Sequence, residues 1–270
     1  MPQTTLGYER LFNWGLAESD EETFVSQVLE GQPEPPAYFA MMKAMNRDGA
    51  PTRTGTSPPD ISAGRIAALI RQDATVVDTR PAADFAIRHA HGTITIPYGK
   101  SFLTWSGALL PYDRDIFLIV AEGGDEVKGI ADELALIGLD RIGGAYVVTS
   151  FAELEAEGIA PRSMPQMDVD ALIHQTRNGV FLVDVRGTDE WDKGHIPGAV
   201  HIPLGSLESR LGELPSGGEV ALQCQGGDRS AIAASILEKH GISASNLAGG
   251  LDEWERFGGV LQHGGGGTPR

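Results

Sequence analysis

The sequence predicts an α/β fold: two similar lobes, each a parallel sheet flanked by helices, preceded by a short helical segment. Three observations carry this reading. From about Ile61 onward, apolar runs of strand length alternate with segments of helical period, an arrangement that pairs strands in parallel. Near Val169 the same programme restarts, so the chain contains the pattern twice. In the second copy the apolar run 220–223 ends at Cys224, and a glycine-containing loop and a helical segment follow. That order puts a thiol at the carboxyl end of a strand, where open parallel sheets bind ligands.

Taken in order, residues 1–51 form the helical segment. Residues 21–30 have an amphipathic pattern with Phe24, Val25 and Leu29 inward, Asp20 as N-cap and Gly31 as stop. Gln32-Pro33-Glu34-Pro35-Pro36 breaks the helix, and residues 37–45 form a second short one. Tyr8, Phe12, Trp14, Tyr38, Phe39 and the methionines give this segment more apolar surface than it has structure to cover. Residues 52–60 are a linker by their Pro, Gly, Ser and Thr content. The first lobe, 61–160, opens with a Ser62-capped helix over 63–71. It continues with strands at 75–78 and 117–121 and a helix over 128–137. The second lobe, 161–262, has a helix over 168–175, strands at 180–185 and 220–223, a helix over 231–239 and a short apolar piece at 246–248. In the 231–239 helix, Ile232, Ile236 and Leu237 are spaced to bury one face. The tail 263–270 has nothing to fold and is expected to be disordered.

The two copies align residue by residue. Asp78-Thr79-Arg80 matches Asp184-Val185-Arg186, Asp84-Phe85 matches Glu190-Trp191, and His89, Gly92 and Pro97 match His195, Gly198 and Pro203. In the later strand Ala121 falls opposite Cys224 and Glu126 opposite Arg229. The first copy has therefore lost both a nucleophile and a cation, and chemistry belongs to the second.

Composition excludes several classes. A net charge of −16 argues against nucleic acid or an anionic membrane as partner. There is no apolar run long enough to span a bilayer and no basic-then-apolar leader, which points to the cytoplasm. A single cysteine excludes an internal disulfide and fits a reducing compartment.

Cys224 is the candidate catalytic residue. The thiolate is the nucleophile, and a helix N-terminus with a nearby cation favours it. The competing reading, a buried structural cysteine, fits the Gly-Gly-Asp-Arg context less well. Gln225, Gly226, Gly227, Asp228, Arg229 and Ser230 form the candidate binding loop, the glycines letting successive N–H groups turn inward around an anion. Arg229 either binds the anionic end of a substrate or ties the loop to the fold. Asp228 disfavours anionic substrates unless it points to solvent or pairs with Arg229. Asp184, Arg186 and His195 read as structural support, Trp191 and Trp254 as core, and Lys193 as a solvated turn. His89-Ala90-His91 lacks a completing ligand set in sequence, so no metal site is expected.

These residues resemble a known family. Asp184-Val185-Arg186, Gly194-His195-Ile196-Pro197-Gly198-Ala199, the loop from Cys224 to Ser230 and Gly249-Gly250-Leu251-Asp252-Glu253-Trp254 are similar to the motifs of the rhodanese domain, a sulfurtransferase module. The first lobe resembles a degenerate rhodanese domain. The resemblance implies two five-stranded parallel sheets and a Cys224 that becomes a transient persulfide, with no other cofactor. It also implies movement of sulfane sulfur from thiosulfate or a small persulfide to a thiol or cyanide. Cysteine phosphatases use a similar strand-loop-helix site, usually with five residues between Cys and Arg. Here four intervene, a tighter loop suited to one sulfur atom. Thr4 to Arg10, Asn13-Trp14 and the stretch from Gln32 to Phe39 resemble the C-terminal end of a metallo-β-lactamase-fold domain. The relatives in question fuse that domain to rhodanese domains, as persulfide-dioxygenase-like proteins do. The implied partners are a small sulfur donor, a thiol acceptor and a metallo-β-lactamase-fold domain. The alternative is a non-catalytic regulatory or sulfur-carrier module serving such a dioxygenase or hydrolase.

Overall fold

The computed structural model describes residues 3–30, 38–49, 57–176 and 179–263. The expected helix break at 32–36, residues 52–56 of the linker and residues 264–270 of the tail lie outside the described residues. The chain forms two compact units, Met1–Pro35 and Pro36–Arg270.

In the first unit, α1 (Leu6–Phe12), α2 (Trp14–Ala17) and α3 (Glu21–Leu29) are capped by Thr5, Asn13 and Asp20, each side chain accepting from a first-turn N–H. Asp20 caps as expected. The inward placing of Phe24, Val25 and Leu29 is corrected: they are 37%, 45% and 63% exposed. Three helices of four to nine residues enclose no core, so an apolar face gains only edge contacts such as Trp14 on Phe24, with ring centroids 6.1 Å apart.

The second unit begins with α4 (Tyr38–Asp48) and α5 (Ala63–Arg71). Next come β1 (Thr75–Asp78), α6 (Ala82–Ile87), β2 (His89–Ala90), β3 (Ile94–Thr95), α7 (Phe102–Leu109) and β4 (Ile116–Val120). The chain continues through α8 (Asp125–Leu136), β5 (Ile142–Val147), α9 (Phe151–Ala156), β6 (Pro161–Arg162) and β7 (Gln166–Met167). It closes with α10 (Val169–Thr176), β8 (Phe181–Asp184), α11 (Thr188–Lys193), β9 (Val200–His201), β10 (Val220–Gln223), α12 (Asp228–Lys239), β11 (Ala244–Leu247) and α13 (Gly250–Arg256).

Two parallel sheets result, ordered β3-β1-β4-β5 and β7-β11-β10-β8-β9. The orders correspond position for position, except at one edge. The first sheet has four strands among the described residues, not the five expected. Only a single parallel bridge from Asp60 to Ala145 occupies the fifth place. Pro58 and Pro59 precede Asp60, and proline has no N–H to donate to a ladder. Each sheet carries apolar clusters on both faces, as parallel sheets require.

Helix α12 decides how the lobes meet. Every residue from Ser230 to Leu237 is buried, which corrects the expectation of one buried face. Its second face is covered by the first lobe: Phe85 joins the core around Ile232 and Ile236, and the Thr95 N–H donates to Ser235 Oγ at 3.1 Å. Among the described residues no helix is long and apolar enough to cross a membrane.

Candidate active site

Strand β10 is buried along its whole length and delivers Cys224 to the interface between the lobes. The loop from Cys224 to Gly227 turns the chain into α12, with Gly227 at φ 104°, a left-handed conformation that favours glycine. Gly226 does not share that conformation. The loop's main chain is clamped from the other side by α13. Leu251 N–H donates to the Cys224 carbonyl at 2.8 Å and Asp252 N–H to the Gln225 carbonyl at 3.0 Å. This approach requires Gly250, where a Cβ would sit 2.3 Å from the Cys224 oxygen.

Among the described residues two donor groups lie within hydrogen-bond reach of the sulfur. Gly227 N–H donates to Sγ at 3.1 Å, and the Ser230 hydroxyl, wholly buried, lies 3.3 Å from it. Among the described residues no carboxylate or imidazole is hydrogen-bonded to Sγ. Cys224 also lines a cleft of about 630 Å³ between the lobes. One wall is Gln225, Gly226, Asp228, Arg229 and Ile232; the facing wall comes from the first lobe and includes Pro97, Tyr98, Lys100 and Trp105.

The structure sorts the expected binding residues. Arg229 donates to both oxygens of Glu190, at 2.5 and 2.7 Å, so it ties α12 to α11 while part of its side chain lines the cleft. That bond raises the Arg229 pKa, and the same bond, partly opposed by burial, holds Glu190 below its ordinary value. The Gln225 side chain is turned away from the sulfur: its amide bridges Arg186, at 3.2 Å, and Asp252, at 2.5 Å. Asp228 is exposed at the cleft rim and does not pair with Arg229. Gly226 lines the cleft with an open face, and Ser230 faces the sulfur.

Asp184, Arg186 and His195 lie in one network behind the loop. Arg186 chelates Asp184, donates to the Gly194 carbonyl at 2.7 Å and reaches Gln225, which links the end of β8 to the loop. His195 stacks on Trp191 with centroids 3.4 Å apart, and its Nδ1 lies 3.2 Å from the Trp191 carbonyl oxygen. Trp191 is buried, Trp254 is half-buried with its indole donating to Val260, and Lys193 is exposed.

The first lobe repeats this frame with Ala121 at the position of Cys224. Arg80 chelates Asp78 and donates to the Arg88 carbonyl, and His89 stacks on Phe85. Burial raises the Asp78 pKa more than its Arg80 hydrogen bonds lower it. At the loop, Glu126 takes the position opposite Arg229 and accepts the Glu122 N–H at 2.7 Å. A built-in carboxylate therefore occupies a loop donor, and no sulfur stands at the strand end.

Two partners escaped the sequence reading. Glu190 completes the Arg229 pair, and Glu238 completes the His89-Ala90-His91 set from the other lobe, 2.8 Å from His89 Nε2 and 2.9 Å from His91 Nδ1. No group of three His, Cys, Asp or Glu among the described residues has metal-binding geometry.

Comparison with known proteins agrees with the geometry. The model of the rhodanese-like domain matches residues 167–257. A sulfurtransferase of Allochromatium vinosum is 36% identical over 80 residues, covering 29% of this chain and 75% of that protein. The chain belongs to the rhodanese-like domain family. The Bacillus subtilis protein YqhL is 43% identical over 74 residues, 27% of this chain and 59% of its own. A metallo-beta-lactamase structure from Staphylococcus aureus is 34% identical, covering 54% of this chain and 41% of that one, with a TM-score of 0.39. The chain spans 51% and 59% of the length of the first two curated relatives it matches. The stretch matched by the rhodanese-like domain model lies in the second lobe and contains both Gly227 and Ser230, whose donors lie against Cys224 Sγ.

Proposed function

We propose that this chain is a rhodanese-type sulfurtransferase in which Cys224 carries sulfane sulfur as a persulfide. The donor is thiosulfate or a small persulfide, and the acceptor is a thiol or cyanide. The first lobe is a second, catalytically silent rhodanese-like domain. One observation carries this reading: Sγ sits at an interlobe cleft with Gly227 N–H and the Ser230 hydroxyl aimed at it. Donors aimed at an atom that bears negative charge stabilise that charge. The thiolate attacks the outer sulfur of the donor; an Sγ–S bond forms, the donor's S–S bond breaks, and its electron pair leaves on sulfite or on a thiolate. The acceptor then takes the outer sulfur and returns Cys224.

Phosphoryl transfer fits less well, because Arg229 is held by Glu190 and the loop has four residues between Cys224 and Arg229. Incubation with thiosulfate or a persulfide, followed by mass spectrometry, tests the proposal. The wild-type chain gains one sulfur atom and Cys224→Ser gains none; full transfer by that variant refutes the assignment. A phosphate-ester assay run beside it is expected to show no turnover.

A second reading has its own observation. Leu6, Leu11 and Phe12 are 63%, 76% and 70% exposed on the α1–α3 unit, apolar surface of the kind that docks on other protein. It favours a regulatory or sulfur-carrier module serving a metallo-β-lactamase-fold dioxygenase or hydrolase. Under that reading Cys224 loads once without multiple turnover.

A further inference from the structure

Resting on the sulfurtransferase reading, we infer that Lys100, in the silent first lobe, binds the anionic end of the sulfur donor and so sets donor specificity for the Cys224 site in the other lobe.

The cleft is walled by both lobes but has few charges. Its lining contains two cations, Lys100 and Arg229, and one carboxylate, Asp228. Arg229 spends both terminal nitrogens on Glu190. Lys100 forms no ion pair with any described residue, and its side chain is exposed on the wall that faces Cys224. Among the described residues the cleft therefore has one cation without an ion-pair partner, Lys100, and it comes from the lobe whose strand end has no cysteine. Asp228 opposes anion entry on the second lobe's own wall, so an anionic donor needs a countercharge that this lobe does not supply.

Lys100 is held at that position by its neighbours. The Tyr98 N–H donates to the Thr79 carbonyl at 2.9 Å and the Phe102 N–H to the Gly99 carbonyl at 3.0 Å. The Tyr98 ring meets Phe102 edge-on at 5.3 Å, and its hydroxyl donates to Glu133 at 2.8 Å. A loop pinned at both ends around an unpinned lysine suits a binding wall. It also gives the first lobe a reason to keep its fold after losing its thiol. The group Lys100 reads is the anion shared by thiosulfate and by carboxylate-bearing persulfides.

Three donors test the assignment: thiosulfate, glutathione persulfide and 2-hydroxyethyl persulfide, whose far end is uncharged. For Lys100→Glu, kcat/KM is expected to fall about tenfold with the first two, mainly through KM, and to stay within about twofold with the third. Lys100→Arg keeps wild-type values. A loss confined to one anionic donor supports the inference and identifies the anion. Equal loss with all three donors, or none with any, overturns it. If the wild-type chain takes sulfur from no donor, the sulfurtransferase reading itself falls, and this inference falls with it.

Discussion

The Arg229 guanidinium is bidentate on the Glu190 carboxylate, at 2.5 and 2.7 Å, and this pair joins the first turn of α12 to α11. The cation beside the nucleophile is thus a brace. Arg229→Gln and Glu190→Gln are therefore expected to act alike, slowing sulfur uptake by loosening the loop without selectively raising KM for thiosulfate. The pair is partly exposed, so its coupling in a double-mutant cycle is expected to be only about 0.5–1 kcal/mol by denaturant unfolding. A large rise in KM for thiosulfate in Arg229→Gln alone would return the arginine to a substrate-binding role.

Among the described residues Ser230 is the one side chain whose hydroxyl lies within hydrogen-bond reach of Sγ, at 3.3 Å, with the Gly227 carbonyl as its alternative acceptor at 3.1 Å. Ser230→Ala removes that donor and the hydroxyl's contact with the Gly227 carbonyl. Stability is expected to fall by about 1 kcal/mol, while sulfur uptake falls about tenfold, the larger share appearing in rate because the bond matters most when sulfur is anionic. Ser230→Thr keeps the hydroxyl, and its partial recovery in a donor assay separates hydrogen bonding from packing.

What the sequence made legible is local. The Ser62 cap with its helix, β1, β10 and the strand-loop-helix around Cys224 each follow from neighbours a few residues apart, where periodicity and capping act. The repeat was legible too, and the two sheets share a strand order. What stayed hidden is pairing across distance. Glu238 lies 149 residues from His89 and Glu190 lies 39 from Arg229, and no spacing rule connects them. The burial of α12 on both faces has the same origin: Ile232 and Ile236 report one apolar stripe, whereas Ser235 meets the other lobe through a single hydroxyl. Among the described residues a single bridge at Asp60 stands where a fifth strand was expected, just after Pro58 and Pro59.

Gly250 offers a sharper steric test of the loop clamp. Its φ is 55°, and an added Cβ would stand 2.3 Å from the Cys224 oxygen and 2.7 Å from the Gln225 oxygen, both backbone atoms that cannot rotate away. Gly250→Ala is expected to cost about 2–4 kcal/mol and to depress sulfur uptake further than its stability loss explains. Gly205→Ala, where nothing lies within 4 Å, is the neutral control in the same urea titration.

Glu238 links the lobes through His89 and His91, and its titration gives the contact a pH signature. Burial raises its pKa, but the hydrogen bonds and the electrostatic attraction of His89 and His91 together outweigh that effect and leave it below the ordinary 4.5. A carboxylate depressed in the folded state adds stability above its unfolded pKa and loses it as pH falls through the folded value. The wild-type chain is thus expected to exceed Glu238→Gln by about 1–2 kcal/mol at pH 7, because the substitution replaces a charge-assisted bond to the buried His89 ring. That margin should hold down to about pH 5 and shrink as pH falls from 4.5, where the unfolded chain takes up a proton, through the lower folded value. Urea unfolding of both proteins at intervals from pH 7 to pH 3 measures it. A margin that is constant across the whole range would show that Glu238 contributes by packing alone.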